Sequence, residues 1–204
     1  VVIPTGDGNL MHSAASGVTV LDRDSHSVAQ FANHFGGAPR GAALAMAAPL
    51  AVVAFEHGLA VTDLSGANEP TWVALPAPFA SRAVALDGDR CALLDGAGRA
   101  CVVQLPAGRV LWQGKAGVGL DHTELVVPTG GSEQVVVGKR GEQVVVQRID
   151  YARGDGLVAG ETVVRDLNVL GAVGNAAGAL FVAGLRETSA PSTRGALLQY
   201  FVLL

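Results

Sequence analysis

The sequence is poor in aromatic and charged residues, and this scarcity narrows the functions that it can serve. Aromatic residues make up 5% of the 204 residues and charged residues 16%, with a formal net charge of −4. Because both signs of charge are scattered in ones and twos, there is no basic patch of the kind that binds nucleic acid or an anionic membrane surface. So few aromatic rings also leave no stacking platform for single-stranded nucleic acid. We therefore expect no nucleic-acid partner.

Membrane-spanning and targeting segments are missing from the sequence as well. The longest apolar run, Ala42–Phe55, contains Pro49 and is too short for a helix that spans a bilayer. The first residues do not show the cationic stretch and apolar core of a secretory signal. Since the sequence opens with Val1 and not with Met, we expect a chain that is processed, excised from a longer polypeptide or numbered from its first ordered residue. The sequence predicts a soluble chain and leaves its cellular location open.

Cysteine is scarce: the chain has only Cys91 and Cys101, in the two arms of one expected hairpin. A loop of two or four residues between the arms would set Cys91 opposite Val102, one step out of register with Cys101. Because a disulfide requires a particular placement of the two Cβ atoms, we favour two small buried strand residues over a bridge. A bridge stays open as the alternative, so the cysteines do not fix the compartment.

Glycine and small aliphatic residues are abundant instead. Half of the residues are hydrophobic, and 27 are Gly. This composition is typical of many short strands joined by tight turns. A chain of this length buries a full core as one domain or one repeat array without the help of disulfides.

Two kinds of spacing indicate internal repeats. Pro4 and Pro128 lie in the similar segments VIPTG and VVPTG and are 124 residues apart. Four turn glycines that precede apolar runs are separated by 41, 40 and 43 residues: Gly17, Gly58, Gly98 and Gly141. A period near 41 with four short strands in each unit is what a β-propeller blade requires.

The predicted fold is therefore an all-β propeller with five repeat units of about 41 residues, each made of four short antiparallel strands. Radially packed sheets bury both faces, which explains strands that are almost continuous Val, Ala and Leu. We expect one domain over 1–204 and leave open whether it is a closed ring, part of a larger propeller or a fragment of a longer chain. Its approximate blades are 1–40, 41–82, 83–119, 120–166 and 167–204.

The later units are expected to depart from this regularity. In the fourth unit, Tyr151–Gly160 lengthens the connection between the third and fourth strands. The fifth unit shows strands at Val169–Val173, Ala179–Val182 and Ala196–Leu203 but no fourth strand. Either the polypeptide continues beyond residue 204, or a strand from elsewhere docks there, or the blade has three strands. An unpaired edge at this blade would accept a strand from another segment.

The apolar run Ala42–Phe55 also permits a helical interpretation, since alanine and leucine favour helix. Pro49 would break such a helix in its middle. Two strands joined by a proline turn preserve the 41-residue period, and we prefer them.

The segment from Asp95 to Trp112 resembles the repeat of quinoprotein-like and WD40-like β-propellers. In the quinoprotein-like repeat a glycine turn leads to an apolar strand that ends in Asp, followed by Thr-Gly and a Trp that packs between neighbouring blades. This sequence departs from that pattern at Gln104, in place of the Asp, and at Ala107, in place of the Thr. The adjacent-cysteine disulfide of the quinone-dependent dehydrogenases is absent, so the resemblance implies no cofactor. It supports the fold and no particular member.

Candidate site residues fall where propeller connections share one face. His34 and the pair Asp121-His122 lie between successive units, and His57 lies in a second-to-third-strand turn. None of the five histidines has the spacing of a metal site, and we prefer solvated turn residues over a His/Asp metal site. Five further cations form either a modest basic rim or, more commonly, a merely solvated edge: Arg82, Lys115, Lys139, Arg140 and Arg165. If the rim binds a partner, the candidate residues are His34, His57, Arg82, Asp121, His122, Lys139 and Arg140.

The sequence does not contain a complete nucleophile, phosphate-loop or calcium-loop motif. There is no Gly-x-Ser-x-Gly nucleophile motif. Gly6-Asp7-Gly8 and Gly96-Ala97-Gly98 precede neither a helix nor the Lys-Ser/Thr of a phosphate loop. Asp87-Gly88-Asp89 is not followed by a calcium-loop ligand series. All three segments are predicted to be hairpin turns.

The sequence thus favours a non-catalytic scaffold or protein-interaction module, whose partner is another protein or a further domain of the same polypeptide. We expect no catalytic residue, metal or cofactor. The alternative is a propeller that binds a small ligand or glycan, which would need an aromatic or Asp/Asn residue recurring in each blade, as only Asp22 and Asp63 suggest. An enzyme with a site in the central channel is disfavoured because the first strands of the units are apolar.

Overall fold

The computed structural model describes residues 2–4, 10–14, 17–21, 24, 26–32, 39–44, 50–64, 69–129, 131–152, 156–164, 168–174 and 180–185. Every regular element in these ranges is a β-strand, which confirms the all-β prediction. Among them there is no helix of the length and apolarity needed to cross a membrane. The strands in chain order are β1 Val2–Pro4, β2 Leu10–Ala14, β3 Gly17–Leu21, β4 Ser27–Ala32, β5 Gly41–Leu44, β6 Leu50–Ala54, β7 Gly58–Asp63, β8 Thr71–Ala74, β9 Ser81–Asp87, β10 Arg90–Asp95, β11 Arg99–Gln104, β12 Arg109–Lys115, β13 His122–Pro128, β14 Glu133–Arg140, β15 Gln143–Asp150, β16 Leu157–Val164, β17 Asn168–Gly174 and β18 Leu180–Leu185.

Each strand pairs with its neighbour in the chain, so the sheets are simple antiparallel meanders. Four sheets have four strands each: sheet 1 is β1–β4, sheet 2 is β5–β8, sheet 3 is β9–β12 and sheet 4 is β13–β16. In sheet 5 the described residues form two strands, β17 and β18. The expected third strand Ala196–Leu203 lies outside the described residues, so the blade count and boundaries remain predictions.

The apolar run Ala42–Phe55 contains β6 and all of β5 except Gly41, so the helical interpretation is wrong for the residues described there. The four residues Ala51–Ala54 are all 0% exposed, although successive side chains of a strand point to opposite faces. Both faces of β6 are therefore covered. The successive β-branched residues Val52 and Val53 favour a strand that is buried in this way.

Sheet 3 shows how the core is built, because it is buried on both faces. The odd-numbered side chains of β10 and β11, such as Leu93, pack in one cluster with Val52 and Leu59 of sheet 2. The even-numbered side chains of these two strands, such as Leu94, pack in a second cluster with Val136 of sheet 4. Sheet 3 is thus packed between sheet 2 on one face and sheet 4 on the other.

The first strands of the sheets lie close together. Strand β9 contacts β5, β13 and β17, the first strands of sheets 2, 4 and 5. The sheets stack face to face, and their first strands lie next to one another. Sheets arranged in this way are radial, with the first strands innermost. This is the geometry that the 41-residue period predicts.

Trp112 occupies the position between blades that the quinoprotein-like repeat implies. It is 9% exposed and belongs to the cluster between sheets 3 and 4. Its ring centroid lies 6.2 Å from that of Tyr151, which follows β15 of sheet 4. Trp72 instead lies 5.8 Å from Phe55, within sheet 2.

The predicted register of the two cysteines is wrong by one residue. Cys91 faces Val103, and Cys101 faces Leu93. The reason is the β10–β11 loop, which has three residues and closes on Gly98 at φ 76° instead of having two or four. Both cysteines consequently point into the same cluster, where they are buried and unbridged. Burial raises the pKa of both thiols, that of Cys101 to about 11, which keeps them protonated and unreactive.

The expected long connection in sheet 4 is also wrong. Strand β16 begins at Leu157, which pairs with Asp150. The connection between β15 and β16 therefore ends before Leu157, and the last four residues of the predicted loop, 157–160, belong to the strand. Ala159 is the extra residue of a bulge between Val158, which faces Ile149, and Gly160, which faces Arg148.

Candidate interaction surface

The predicted rim residues that the structure describes lie at one end of the sheets. In an antiparallel meander the first strand begins at the same end as the turn between the second and third strands. We call this end, where β5, β9 and β13 begin, the rim end. It carries seven of the predicted residues: His57, Arg82, Lys115, Asp121, His122, Lys139 and Arg140. His34 and Arg165 lie outside the described residues.

Arg82 and His122 meet there with a glutamate that the sequence did not single out. Nη2 of Arg82 lies 3.4 Å from Nε2 of His122. Nη1 of Arg82 is 3.6 Å from Oε2 of Glu124, and Nε2 of His122 is 3.4 Å from Oε1 of the same carboxylate. We call Arg82, His122 and Glu124 the Arg82 cluster; it joins the first strands of sheets 3 and 4.

Two β-bulges at matching positions create this contact. Arg82 is the extra residue between Ser81, which faces Asp95, and Ala83. Glu124 is the extra residue after Thr123 in the first strand of the next sheet. A bulge changes the direction in which a strand side chain points. The two bulges place Arg82 and Glu124 within ion-pair distance across the gap between sheets.

A second group of polar side chains, centred on Arg140, lies further out on the same end. Arg140 holds both carboxylate oxygens of Glu161, with Nη1–Oε1 at 2.8 Å and Nη2–Oε2 at 2.9 Å. These hydrogen bonds, and a further one from Gln147, lower the pKa of Glu161 to about 2. The same pairing raises the pKa of Arg140. This bidentate ion pair therefore keeps both charges at any physiological pH.

The Arg140 group fixes the loop between β12 and β13. The N–H of Val118 donates to Oε1 of Gln147 at 2.8 Å, and Nε2 of Gln147 donates back to the Val118 carbonyl at 2.7 Å. Nε of Arg140 donates to the carbonyl of Gly119 at 3.0 Å. Gly117 and Gly119 both have positive φ. The loop thus holds the side chain of Val118, 49% exposed, on a rigid backbone.

The remaining predicted residues support this end without joining the Arg82 cluster. Asp121 donates its N–H to the carbonyl of Lys139 at 2.8 Å and accepts from the N–H of Gly141 at 2.7 Å. The carbonyl of His57 accepts from the N–H of Leu75 within sheet 2. Among the residues described, no three His, Cys, Asp or Glu side chains lie close enough to hold a metal ion.

Asp95 ends β10 and stabilises the turn beneath Arg82. Its Oδ1 accepts from the N–H groups of Ala97 and Arg99 at 2.9 and 2.8 Å, and Oδ2 accepts from Nε of Arg99 at 2.7 Å. Arg82 donates Nε–H to the Asp95 carbonyl at 3.3 Å. Burial by itself would raise the pKa of Asp95, but the hydrogen bonds from Arg99 and Ala97 outweigh it and lower the pKa.

We expect Asp95→Asn to lower the free energy of unfolding by about 1–2 kcal/mol at pH 7, because the amide loses the charge-assisted hydrogen bonds and sets its NH2 group against N–H donors. Since the pKa is depressed in the folded state, this stabilisation is present above the unfolded-state pKa and is lost as the pH falls through the folded one. Urea unfolding from pH 7 down to about pH 3 should therefore show a shrinking difference between the two proteins.

The control for this measurement is Asp89→Asn in the β9–β10 turn, where the exposed carboxylate accepts one bond from Gln104. It should change stability by no more than about 0.5 kcal/mol. A loss at Asp95 that stays constant across the pH series would contradict the role given to its charge.

Comparison with known proteins bears on the fold. No family model matches the chain, and no curated protein matches it in sequence. Solved structures do match. Hydrazine synthase from Kuenenia stuttgartiensis aligns with a TM-score of 0.61 at 15% identity, over 94% of this chain and 57% of that one. BamB from Moraxella catarrhalis aligns with a TM-score of 0.57 at 16% identity, over 91% of this chain and 58% of that one.

The β-propeller domain of Cps50 (Swd1) from Myceliophteria thermophila aligns with a TM-score of 0.59 at 13% identity, over 90% of this chain and 61% of that one. The chain therefore spans less than two thirds of the length of each of these three proteins. At such identities the likeness concerns the fold alone. Together with the radial stack of four-stranded sheets, it confirms the resemblance inferred from the repeat and shows that the chain folds as a β-propeller.

Proposed function

We propose that this propeller is a non-catalytic scaffold that holds a protein partner, or a further domain of its own polypeptide, on the rim end. The observation that carries the proposal is the β12–β13 loop. It presents the apolar side chain of Val118 on a backbone that Gln147 and Arg140 have already ordered. A preordered anchor loses little conformational entropy when a partner covers it.

The surroundings of Val118 support the same proposal. Arg140 and Glu161 satisfy each other's charges beside the loop, and Gln147 uses its amide on the loop backbone. An apolar anchor ringed by polar groups that are already paired is the usual make-up of an interface centre with a polar rim. A partner would cover this surface without leaving a buried charge unpaired.

Site-specific photocrosslinking in the cells of origin tests this proposal. A benzophenone amino acid at position 118 should form a defined protein adduct, or an adduct with another domain of the chain. The same probe at Ala107, exposed in the β11–β12 turn at the opposite end, should give at least tenfold less. The defined adduct identifies the partner whose binding is then measured.

Variants make the result decisive. Val118→Asp should weaken binding of that partner by about tenfold or more, since it places a charge at an apolar contact. Ala107→Asp is the matched control and should leave binding unchanged. Equal adduct yields at the two positions, or full binding by Val118→Asp, would overturn the proposed function.

A further inference from the structure

Arg82 has more donor capacity than its neighbours use. A guanidinium has five N–H donors in a rigid fork. Nε of Arg82 is committed to the Asp95 carbonyl, but the two terminal nitrogens have only the long contacts of 3.6 Å to Glu124 and 3.4 Å to His122. Arg140 makes two bonds under 3 Å to one carboxylate on the same end. Arg82 is thus oriented by its inner nitrogen while its outer edge has no short partner among the described residues.

His122 is placed between two incompatible contacts. Its Nε2 faces Nη2 of Arg82, toward which it would have to accept, and Oε1 of Glu124, toward which it would have to donate, both at 3.4 Å. A neutral imidazole nitrogen does one or the other. A protonated imidazole places two positive groups side by side. In either state one contact of the Arg82 cluster is unfavourable in the free protein.

We propose that the Arg82 cluster is a binding site for a carboxylate, supplied by an acidic side chain of the partner on the rim end. A carboxylate placed against the exposed edge of the two side chains would accept from the terminal nitrogens of Arg82 and from Nε2–H of His122. These charge-assisted hydrogen bonds would compensate for the unfavourable contact in the cluster. That the carboxylate belongs to a protein side chain rests on the proposed function.

The charges around the cluster favour a carboxylate over a phosphate. Glu124 keeps one negative charge beside the site, and Lys139, which faces His122 across the strand pair, adds a positive one. A singly charged carboxylate is repelled less by Glu124 than a dianionic phosphate. The side chains are also within reach, since His122 is half exposed and Arg82 is one third exposed.

Nuclear magnetic resonance titration tests the site directly on the intact chain. The probes are the blocked peptides acetyl-Gly-Glu-Gly-amide and acetyl-Gly-Gln-Gly-amide, and inorganic phosphate. The glutamate peptide should shift the side-chain signals of His122 and of Arg82 Nε in a saturable way at millimolar concentration. The glutamine peptide should not shift them, and phosphate should bind more weakly than the glutamate peptide.

Three variants separate a binding role from a structural one. Arg82→Gln should weaken binding of the glutamate peptide by tenfold or more. Arg148→Gln, which removes an arginine paired with Glu133 at the opposite end, should not affect it. Glu124→Gln should tighten binding by about threefold to tenfold, because it removes the competing carboxylate. A merely structural cluster would lose binding, not gain it, in Glu124→Gln.

The outcomes distinguish this site from the proposed function. No saturable shift with the glutamate peptide, or phosphate binding as tight as the peptide, would overturn the carboxylate site while leaving the crosslinking result at position 118 unaffected. A saturable, Arg82-dependent shift together with no specific adduct at position 118 would support the carboxylate site and overturn the protein partner as its source.

Discussion

Leu93→Ala and Leu94→Ala are each expected to lower the free energy of unfolding by about 2–5 kcal/mol, the usual cost of a buried Leu→Ala cavity. The two residues are neighbours in β10, and they are 0% and 1% exposed. Leu93 packs in the cluster shared with sheet 2, and Leu94 packs in the cluster shared with sheet 4. A sheet with one face in solvent would show a large loss at only one of two successive positions.

Urea unfolding of both variants measures this. Val118→Ala, at a half-exposed side chain, is the control and should stay within about 0.5 kcal/mol of the parent. A loss below about 1 kcal/mol at Leu94 would mean that sheet 4 does not cover that face, and the radial arrangement would be wrong.

Periodicity made the strand order predictable, because each unit repeats one local pattern. The glycines Gly58, Gly98 and Gly141 do precede or begin third strands of successive sheets. Register was not predictable to the residue, since it depends on the length and φ angles of single turns. The three-residue loop closed by Gly98 shifted Cys91 by one position and so moved both cysteines to one face.

The rim end was predictable from topology, but the contacts on it were not. Arg82 and His122 were expected at the same end because both precede or begin first strands. That they meet depends on bulges, which displace Arg82 and Glu124 and leave no pattern in the sequence. Gln147 was missed for a similar reason, because its partner Val118 is far away in the chain.

Some predictions remain as they were made. The role of the rim residues in binding, the blade boundaries, and the alternative of a small-ligand or glycan-binding propeller rest on the sequence patterns given above. The glycan alternative would need one aromatic or Asp/Asn residue at an equivalent position in each blade. In the part of the chain that the structure describes, the Arg82 cluster occurs once, between sheets 3 and 4, and this suits the proposed single contact better than a contact repeated in each blade.

Gly138→Ala is expected to lower the free energy of unfolding by about 2–3 kcal/mol, in the range found when a packed position receives an extra methyl group. A Cβ built on Gly138 would lie 2.3 Å from the carbonyl oxygen of His122 and 2.7 Å from Cδ1 of Leu120. The leucine end can rotate away, but the carbonyl belongs to the first residue of β13. The strand start would have to move, and His122 would move with it.

Gly160→Ala in β16 of the same sheet is the matched control, because a Cβ there meets no atom within 4 Å. It should change stability by no more than about 0.5 kcal/mol. Thermal and urea unfolding compare the two variants, and the His122 side-chain signal reports the displacement of the strand start. A Gly138→Ala protein as stable as Gly160→Ala, with an unshifted His122 signal, would contradict the close approach of β14 to β13. Since β13 supplies both His122 and Glu124, the Arg82 cluster could not then be assembled as described.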